Sequence, residues 1–134
     1  MRKKTKKNPE GNNREKDSLL KVNMARIFFF LNAFLWFAYG VYIYYDMAVV
    51  NNNTGSADVV TLFVFVNAGL ILFSGIKFGS APKWVYYFAL TVTAFNTLLT
   101  LFNILDLYFL VSFVFNLFIL WAVIPLRKQY FPKP

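Results

Sequence analysis

Each of the four apolar runs of this 134-residue chain contains one asparagine: Asn32, Asn67, Asn96 and Asn116. An amide offers two N–H donors and a carbonyl acceptor, so it can bond a neighbouring helix or a small neutral or zwitterionic ligand. Because an unpaired amide is costly in hydrocarbon, we expect all four side chains to point between helices. Together with Thr93 and Thr100 they form the candidate polar cluster of the molecule.

These amides have two interpretations. In the first they bond across helix interfaces and hold a bundle together, at about 0.6 kcal/mol per bond on average. In the second, amides at one depth line a pocket for a small ligand or a lipid headgroup. At 1.5 Å per helical residue, Asn67, Asn96 and Asn116 lie about 15 to 20 Å from the nearest basic residue in sequence. Asn32 lies only about 9 Å from Arg26, so it is expected to be shallower.

Polar residues of the third apolar run recur at intervals of three and four, which places them on one helical face. They are Thr93, Asn96, Thr97, Thr100 and Asn103. We expect this face to be buried against neighbouring helices. The alternative for each threonine is a hydrogen bond from its hydroxyl to the backbone of its own helix.

The overall composition indicates a membrane protein, because 58% of the residues are hydrophobic and only 15% are charged. A water-soluble domain of this size needs more polar surface. Four apolar runs are each long enough to cross a hydrocarbon core of about 30 Å as a helix of about 20 residues. They extend over residues 27–47, 59–76, 84–102 and 107–126. The predicted fold is all-α, an integral membrane four-helix bundle within residues 22–126.

Basic residues predict the orientation of this bundle. All 14 Lys and Arg lie in the N-terminal tail, at the start of the first run, in the second connection or in the C-terminal tail. The other two connections carry Asp46, Asp58 and Asp106 instead. By the positive-inside rule both termini are cytoplasmic, which an even number of crossings requires.

The connecting and terminal segments carry further predictions. Residues 1–21 are expected to form a disordered basic cytoplasmic tail that can adhere to anionic lipid headgroups, and residues 127–134 a second basic tail. The connection at 103–106 is so short that the third and fourth helices are expected to be antiparallel neighbours.

Enzymatic chemistry is not supported by the residue types. The chain has no cysteine and no histidine, and its apolar runs hold no acidic or basic side chain near their middle. We therefore expect no catalytic residue, no cofactor and no metal site. The net charge of +8 lies in tails and at run ends, so we expect lipid rather than nucleic acid as its counterpart.

In length and number of helices the chain resembles the small multidrug resistance transporters, which couple to protons through a membrane-embedded glutamate in the first span. Here no acidic residue stands between Arg26 and Asp46. The preferred function is therefore a non-catalytic structural or interaction partner in the membrane, with another membrane protein or a homo-oligomer as partner. The alternative is a small transporter or pore-forming subunit that acts as an oligomer without its own proton-coupling carboxylate. In general style it resembles small four-span bacterial proteins, so the expected location is a prokaryotic cell membrane.

Overall fold

The chain consists of four long helices and short connections. The computed structural model describes residues 9–80 and 82–131. Helix α1 spans Pro9–Tyr44 and continues as a π-helix over Tyr45–Val50. The later elements are α2 (Thr54–Lys77), α3 (Lys83–Phe102), α4 (Leu107–Val123), a 3₁₀ turn (Ile124–Leu126) and the short helix α5 (Arg127–Tyr130). The predicted all-α, four-helix architecture is confirmed for the described residues, and all four long helices are long and apolar enough to cross a membrane.

Side chains at the connections determine where two of the helices begin. The Asn53 side chain accepts a hydrogen bond from the Ser56 N–H at 3.3 Å at the start of α2. The Asp106 carboxylate does the same for the Tyr108 N–H at 2.8 Å at the start of α4. Each satisfies a backbone donor that has no partner inside the helix. Pro125 ends α4, because it lacks an N–H and the chain tightens into the 3₁₀ turn.

Each long helix packs against two neighbours, in the circular order α1, α2, α3, α4. The α1–α2 interface is the most extensive, and the α2–α3 interface is the sparsest of the four. Helices α3 and α4 pack as antiparallel neighbours. Tyr86 near the start of α3 accordingly contacts Tyr130, which follows the end of α4. The short connection at 103–106 therefore predicted their arrangement correctly.

Two glycines allow α1 and α2 to approach closely. A Cβ atom added at Gly75 would lie 2.8 Å from the Cβ of Phe29, and one at Gly40 would lie 2.7 Å from the Phe65 ring. Near the first contact, Nε of Arg26 donates to the Gly75 carbonyl at 3.2 Å. The side chain of Arg26 is therefore part of the α1–α2 interface.

The N-terminal segment differs from the predicted disordered tail of residues 1–21. Helix α1 begins at Pro9, so residues 9–21 are helical where the sequence indicated a disordered tail, while residues 1–8 lie outside the described residues. Proline suits the first helical position because its missing N–H would have no partner there. Acidic residues also precede basic ones by four positions, a spacing that stabilises helices: Glu10 before Arg14, and Asp17 before Lys21. The charge composition of the segment does not indicate a helix, whereas this spacing of opposite charges does.

The C-terminal segment packs against the bundle as far as it is described. The Tyr130 hydroxyl accepts a hydrogen bond from the Gly79 N–H at 3.0 Å. Its ring contacts those of Tyr86 and Phe78, with centroids 5.3 and 6.0 Å away. The predicted basic tail of residues 127–134 is thus a docked helical turn up to Tyr130, and residues 132–134 lie outside the described residues.

Candidate functional site

Four buried side chains of α1 and α4 form a continuous chain of hydrogen bonds, which we call the α1–α4 cluster: Trp36, Ser112, Asn32 and Asn116. The Trp36 indole N–H donates to the Ser112 hydroxyl oxygen at 2.9 Å. The Ser112 hydroxyl donates to the Asn32 amide oxygen at 2.7 Å, and the Asn32 amide nitrogen donates to the Asn116 amide oxygen at 2.8 Å. All donations run in one direction, so the chain ends at Nδ2 of Asn116. Among the described residues this buried nitrogen has no hydrogen-bond partner.

The other two asparagines form a closed pair between α2 and α3, which we call the α2–α3 pair. The Asn67 amide nitrogen donates to the Asn96 amide oxygen at 2.7 Å, and Asn96 returns a bond to the Asn67 oxygen at 3.0 Å. Asn96 also donates to the Val92 carbonyl of its own helix at 3.0 Å. Asn96 is fully buried and Asn67 is half-buried. The pair uses a donor and an acceptor from each residue.

The threonines of α3 bond to their own helix, as the alternative interpretation holds. The Thr93 hydroxyl donates to the Ala89 carbonyl at 2.7 Å, and the Thr100 hydroxyl donates to the Asn96 carbonyl at 2.8 Å. Both side chains are buried. The expectation that the whole polar face is buried is wrong at Asn103, which is exposed where α3 ends.

Asn32 is not shallower than Asn116, because the two amides bond directly. The sequence estimate took Arg26 as a marker of the membrane edge. In the structure the Arg26 side chain bonds to Gly75 in the α1–α2 interface. The predicted difference in depth between Asn32 and Asn116 is wrong, since their side chains are in direct contact.

The two polar groups lie in different interfaces of the bundle. Helices α1 and α2 are antiparallel, with Arg26 beside Gly75 and Phe37 beside Phe65. This register places Asn67 opposite residues 34–35 of α1, about 3 to 5 Å along the axis from Asn32 and thus within one helical turn. The two groups are separated by interface: Asn32 bonds Asn116 between α1 and α4, and Asn67 bonds Asn96 between α2 and α3.

Two members of the α1–α4 cluster were missed by sequence reasoning. Trp36 follows Asn32 by four positions, and Ser112 precedes Asn116 by four. Residues four apart lie on the same helical face, so this spacing indicates that each pair faces the same neighbouring helix.

The chemistry available to these groups is hydrogen bonding. Amides, hydroxyls and an indole do not exchange protons near neutral pH, and they are poor ligands for transition metals. In the part of the chain that the structure describes, no three His, Cys, Asp or Glu residues lie close enough to hold a metal ion. A cavity of about 10 Å³ lies beside Trp36 and Ser112. It has room for one water molecule at most.

Comparison with known proteins adds no assignment, since no family model, curated protein or solved structure matches this chain. The interior supplies two sets of interhelical hydrogen bonds, and among the described residues the buried Asn116 Nδ2 and Thr61 Oγ1 have no hydrogen-bond partner. The exterior supplies a broad apolar surface with charges at the ends.

Proposed function

We propose that this chain is an integral membrane protein that crosses a prokaryotic cell membrane four times, with both termini in the cytoplasm. We propose further that it performs no chemistry of its own and acts as a structural or interaction partner of another membrane protein or of further copies of itself. Its amides hold the bundle together, and its outward surface binds the partner.

Membrane placement is supported by the side chains that the bundle leaves uncovered. Large apolar residues are exposed on all four long helices, for example Phe34 at 72%, Phe63 at 71%, Leu98 at 56% and Trp121 at 58%. In water such a surface would drive aggregation, whereas lipid tails cover it without cost. The basic and acidic ends of the bundle support the orientation by the positive-inside rule.

The single observation that carries the non-catalytic proposal is that all four asparagines bond across helix interfaces. A ligand pocket would need amide groups that are free to hydrogen-bond the ligand. Here the amides hydrogen-bond each other instead. A pathway through one bundle would likewise have to break these bonds. The surface that remains for function is the outer one, where the chain meets lipid and neighbouring proteins.

Topology can be tested directly, because the chain has no cysteine. Single substitutions Asn53→Cys and Gln129→Cys provide one reactive thiol on each predicted side. In intact cells a membrane-impermeant maleimide should label the first variant at once and the second only after permeabilisation. Labelling of Gln129→Cys in intact cells, or protection of Asn53→Cys, would overturn the proposed orientation.

The interaction role can be tested by site-specific photo-crosslinking in the native membrane. A photoreactive phenylalanine analogue at exposed Phe63 or Phe34 is compared with the same analogue at Phe29, which is 1% exposed and serves as the matched buried control. We expect a discrete adduct with one protein, or with a second copy, from at least one exposed position and none from Phe29. Lipid adducts alone from positions sampled around all four helices would contradict the proposal.

A further inference from the structure

A basic cleft lies between the N-terminal part of α1 and the segment that follows α4. Its volume is about 320 Å³. Three cationic side chains line it, two from α1 and one from α5: Arg14, Lys21 and Lys128. Asp17, Ser18 and Gln129 also line it and add hydrogen-bonding groups beside the charges. The helical extension of α1 builds this cleft, since Arg14 and Lys21 are two turns apart on one face.

An apolar groove continues along the same two helices towards the middle of the bundle. Its volume is about 510 Å³, and its lining includes Met24, Val114, Phe118 and Trp121. Met24 follows Lys21 of the cleft by three positions, and Trp121 precedes Pro125 of the cleft by four. Such spacings keep residues on one helical face, so cleft and groove lie end to end along the outer side of the α1–α4 interface.

We propose that the cleft and the groove together bind one anionic phospholipid of the cytoplasmic leaflet whose headgroup carries hydroxyls, such as phosphatidylglycerol. The lipid phosphate lies among Arg14, Lys21 and Lys128, and an acyl chain lies in the apolar groove. This inference rests on the membrane placement proposed above, and it assigns a ligand class to a surface that the placement alone leaves unassigned.

Charge and length both fit this ligand. Three cationic groups and one carboxylate line the cleft, and the resulting excess of positive charge favours an anionic headgroup. The Asp17 carboxylate and the Gln129 amide oxygen can accept hydrogen bonds from headgroup hydroxyls. Along α4 the distance from Pro125 to Val114 is about 16 Å at the helical rise, which matches the depth of one leaflet of a hydrocarbon core of about 30 Å. A free phosphate would use the cleft and leave the groove unused.

The headgroup site can be tested on the purified full-length protein in a neutral detergent by native mass spectrometry with added dioleoyl phosphatidylglycerol. Dioleoyl phosphatidylcholine, with the same tails, serves as the zwitterionic comparison. We expect Lys21→Gln and Lys128→Gln each to weaken phosphatidylglycerol binding about fivefold. The matched control Lys16→Gln removes an exposed charge from the same helical segment but does not line the cleft, and its binding should equal that of the wild type.

The acyl site is tested by filling the groove. Val114→Trp places a bulky side chain in the groove and should weaken phosphatidylglycerol binding by fivefold or more, relative to the wild type. Val66→Trp makes the same change at a similarly exposed position on α2 and should leave binding unchanged. Melting temperature in detergent and gel filtration identify variants that fail to fold, and Lys128→Arg should restore binding where Lys128→Gln has lost it.

Three results would overturn the proposal. Equal loss in Lys16→Gln and Lys128→Gln would mean diffuse attraction to the basic end rather than a cleft. Full competition by millimolar inorganic phosphate, with no effect of Val114→Trp, would mean a site for free phosphate. Equal binding of phosphatidylcholine would mean lipid adhesion without headgroup recognition. Failure of the membrane placement itself would appear instead in the maleimide labelling of Asn53→Cys and Gln129→Cys.

Discussion

The two polar interfaces of the bundle use asparagine in different ways. Between α2 and α3, Asn67 and Asn96 exchange hydrogen bonds reciprocally. Between α1 and α4, four side chains bond in one direction, and the last donor, Nδ2 of Asn116, is left without a partner in the described residues. The same residue type thus forms a closed unit in one interface and an open chain in the other.

The difference lies in how each interface depends on its members. In a closed pair, loss of either residue leaves one partner whose groups can turn towards its own helix or the surroundings. In an open chain, loss of a middle member leaves buried groups unpaired on both sides of it. A buried polar group without a partner costs about 1–3 kcal/mol, so the middle of the chain is the most sensitive position.

The largest effect is therefore expected at Asn32. Substitution Asn32→Leu removes the acceptor of Ser112 and the donor to Asn116, both of which are buried. We expect a loss of about 2–3 kcal/mol in the free energy of unfolding, measured by reversible unfolding in mixed detergent micelles. The control Asn103→Leu changes an exposed asparagine and should cost no more than about 0.5 kcal/mol. Equal effects at the two positions would show that the α1–α4 cluster does not stabilise the bundle.

A second substitution tests the close contact between α1 and α2, the helices that carry one amide of each polar group. In Gly75→Ala the new Cβ meets the Cβ of Phe29 at 2.8 Å, so α1 and α2 must move apart at a cost of about 1–3 kcal/mol in the same unfolding measurement. Gly69→Ala on the same helix is the matched control, because its new Cβ meets nothing within 4 Å. That control should be neutral or stabilising by up to about 1 kcal/mol. If the control were as damaging as Gly75→Ala, loss of glycine itself rather than close packing would be the cause.

Substitutions in the α2–α3 pair should lower the free energy of unfolding by less, and the effects of the two substitutions should be coupled. Asn67→Leu and Asn96→Leu should each cost about 1 kcal/mol, and the double variant should cost less than the two added together. The double-mutant cycle measures the coupling directly, and we expect about 0.6–1.7 kcal/mol. Strict additivity would mean that the two amides do not interact in the folded protein.

The smallest effect is expected at the end of the open chain. Asn116→Leu removes one hydrogen bond but also removes the buried nitrogen that has no partner, so the two changes partly cancel. We expect a loss of about 0.5–1 kcal/mol, clearly below that of Asn32→Leu, in the same measurement. A loss as large as that of Asn32→Leu would show that the Asn116 nitrogen has a bound acceptor, such as a water molecule, in the folded protein.

Much of the fold was predictable from local sequence patterns. Four apolar runs separated by polar connections indicated four helices, and the short connection at 103–106 indicated the antiparallel pairing of α3 and α4. The intervals along the third run placed Thr93, Asn96 and Thr100 on a buried face. These predictions depend on spacing within one helix, which backbone geometry makes regular.

Less of the candidate site was predictable. The sequence pointed to the four asparagines but not to Trp36 and Ser112, and it left open which amides bond each other. It also assigned disorder to residues 9–21, where acidic and basic residues four apart support a helix. Residue type and distance from a charge do not identify these features. They depend also on which residues share the same helical face.

The sequence by itself determined that the chain forms four apolar helices with their basic residues at one end, because apolar length and charge position are properties of each segment alone. Which amide bonds which was decided only by the tertiary structure. A hydrogen bond between helices depends on the rotation and axial register of both helices, and neither quantity is a property of one segment alone. The sequence placed an amide in every helix, and helix packing made one closed pair and one open chain of them.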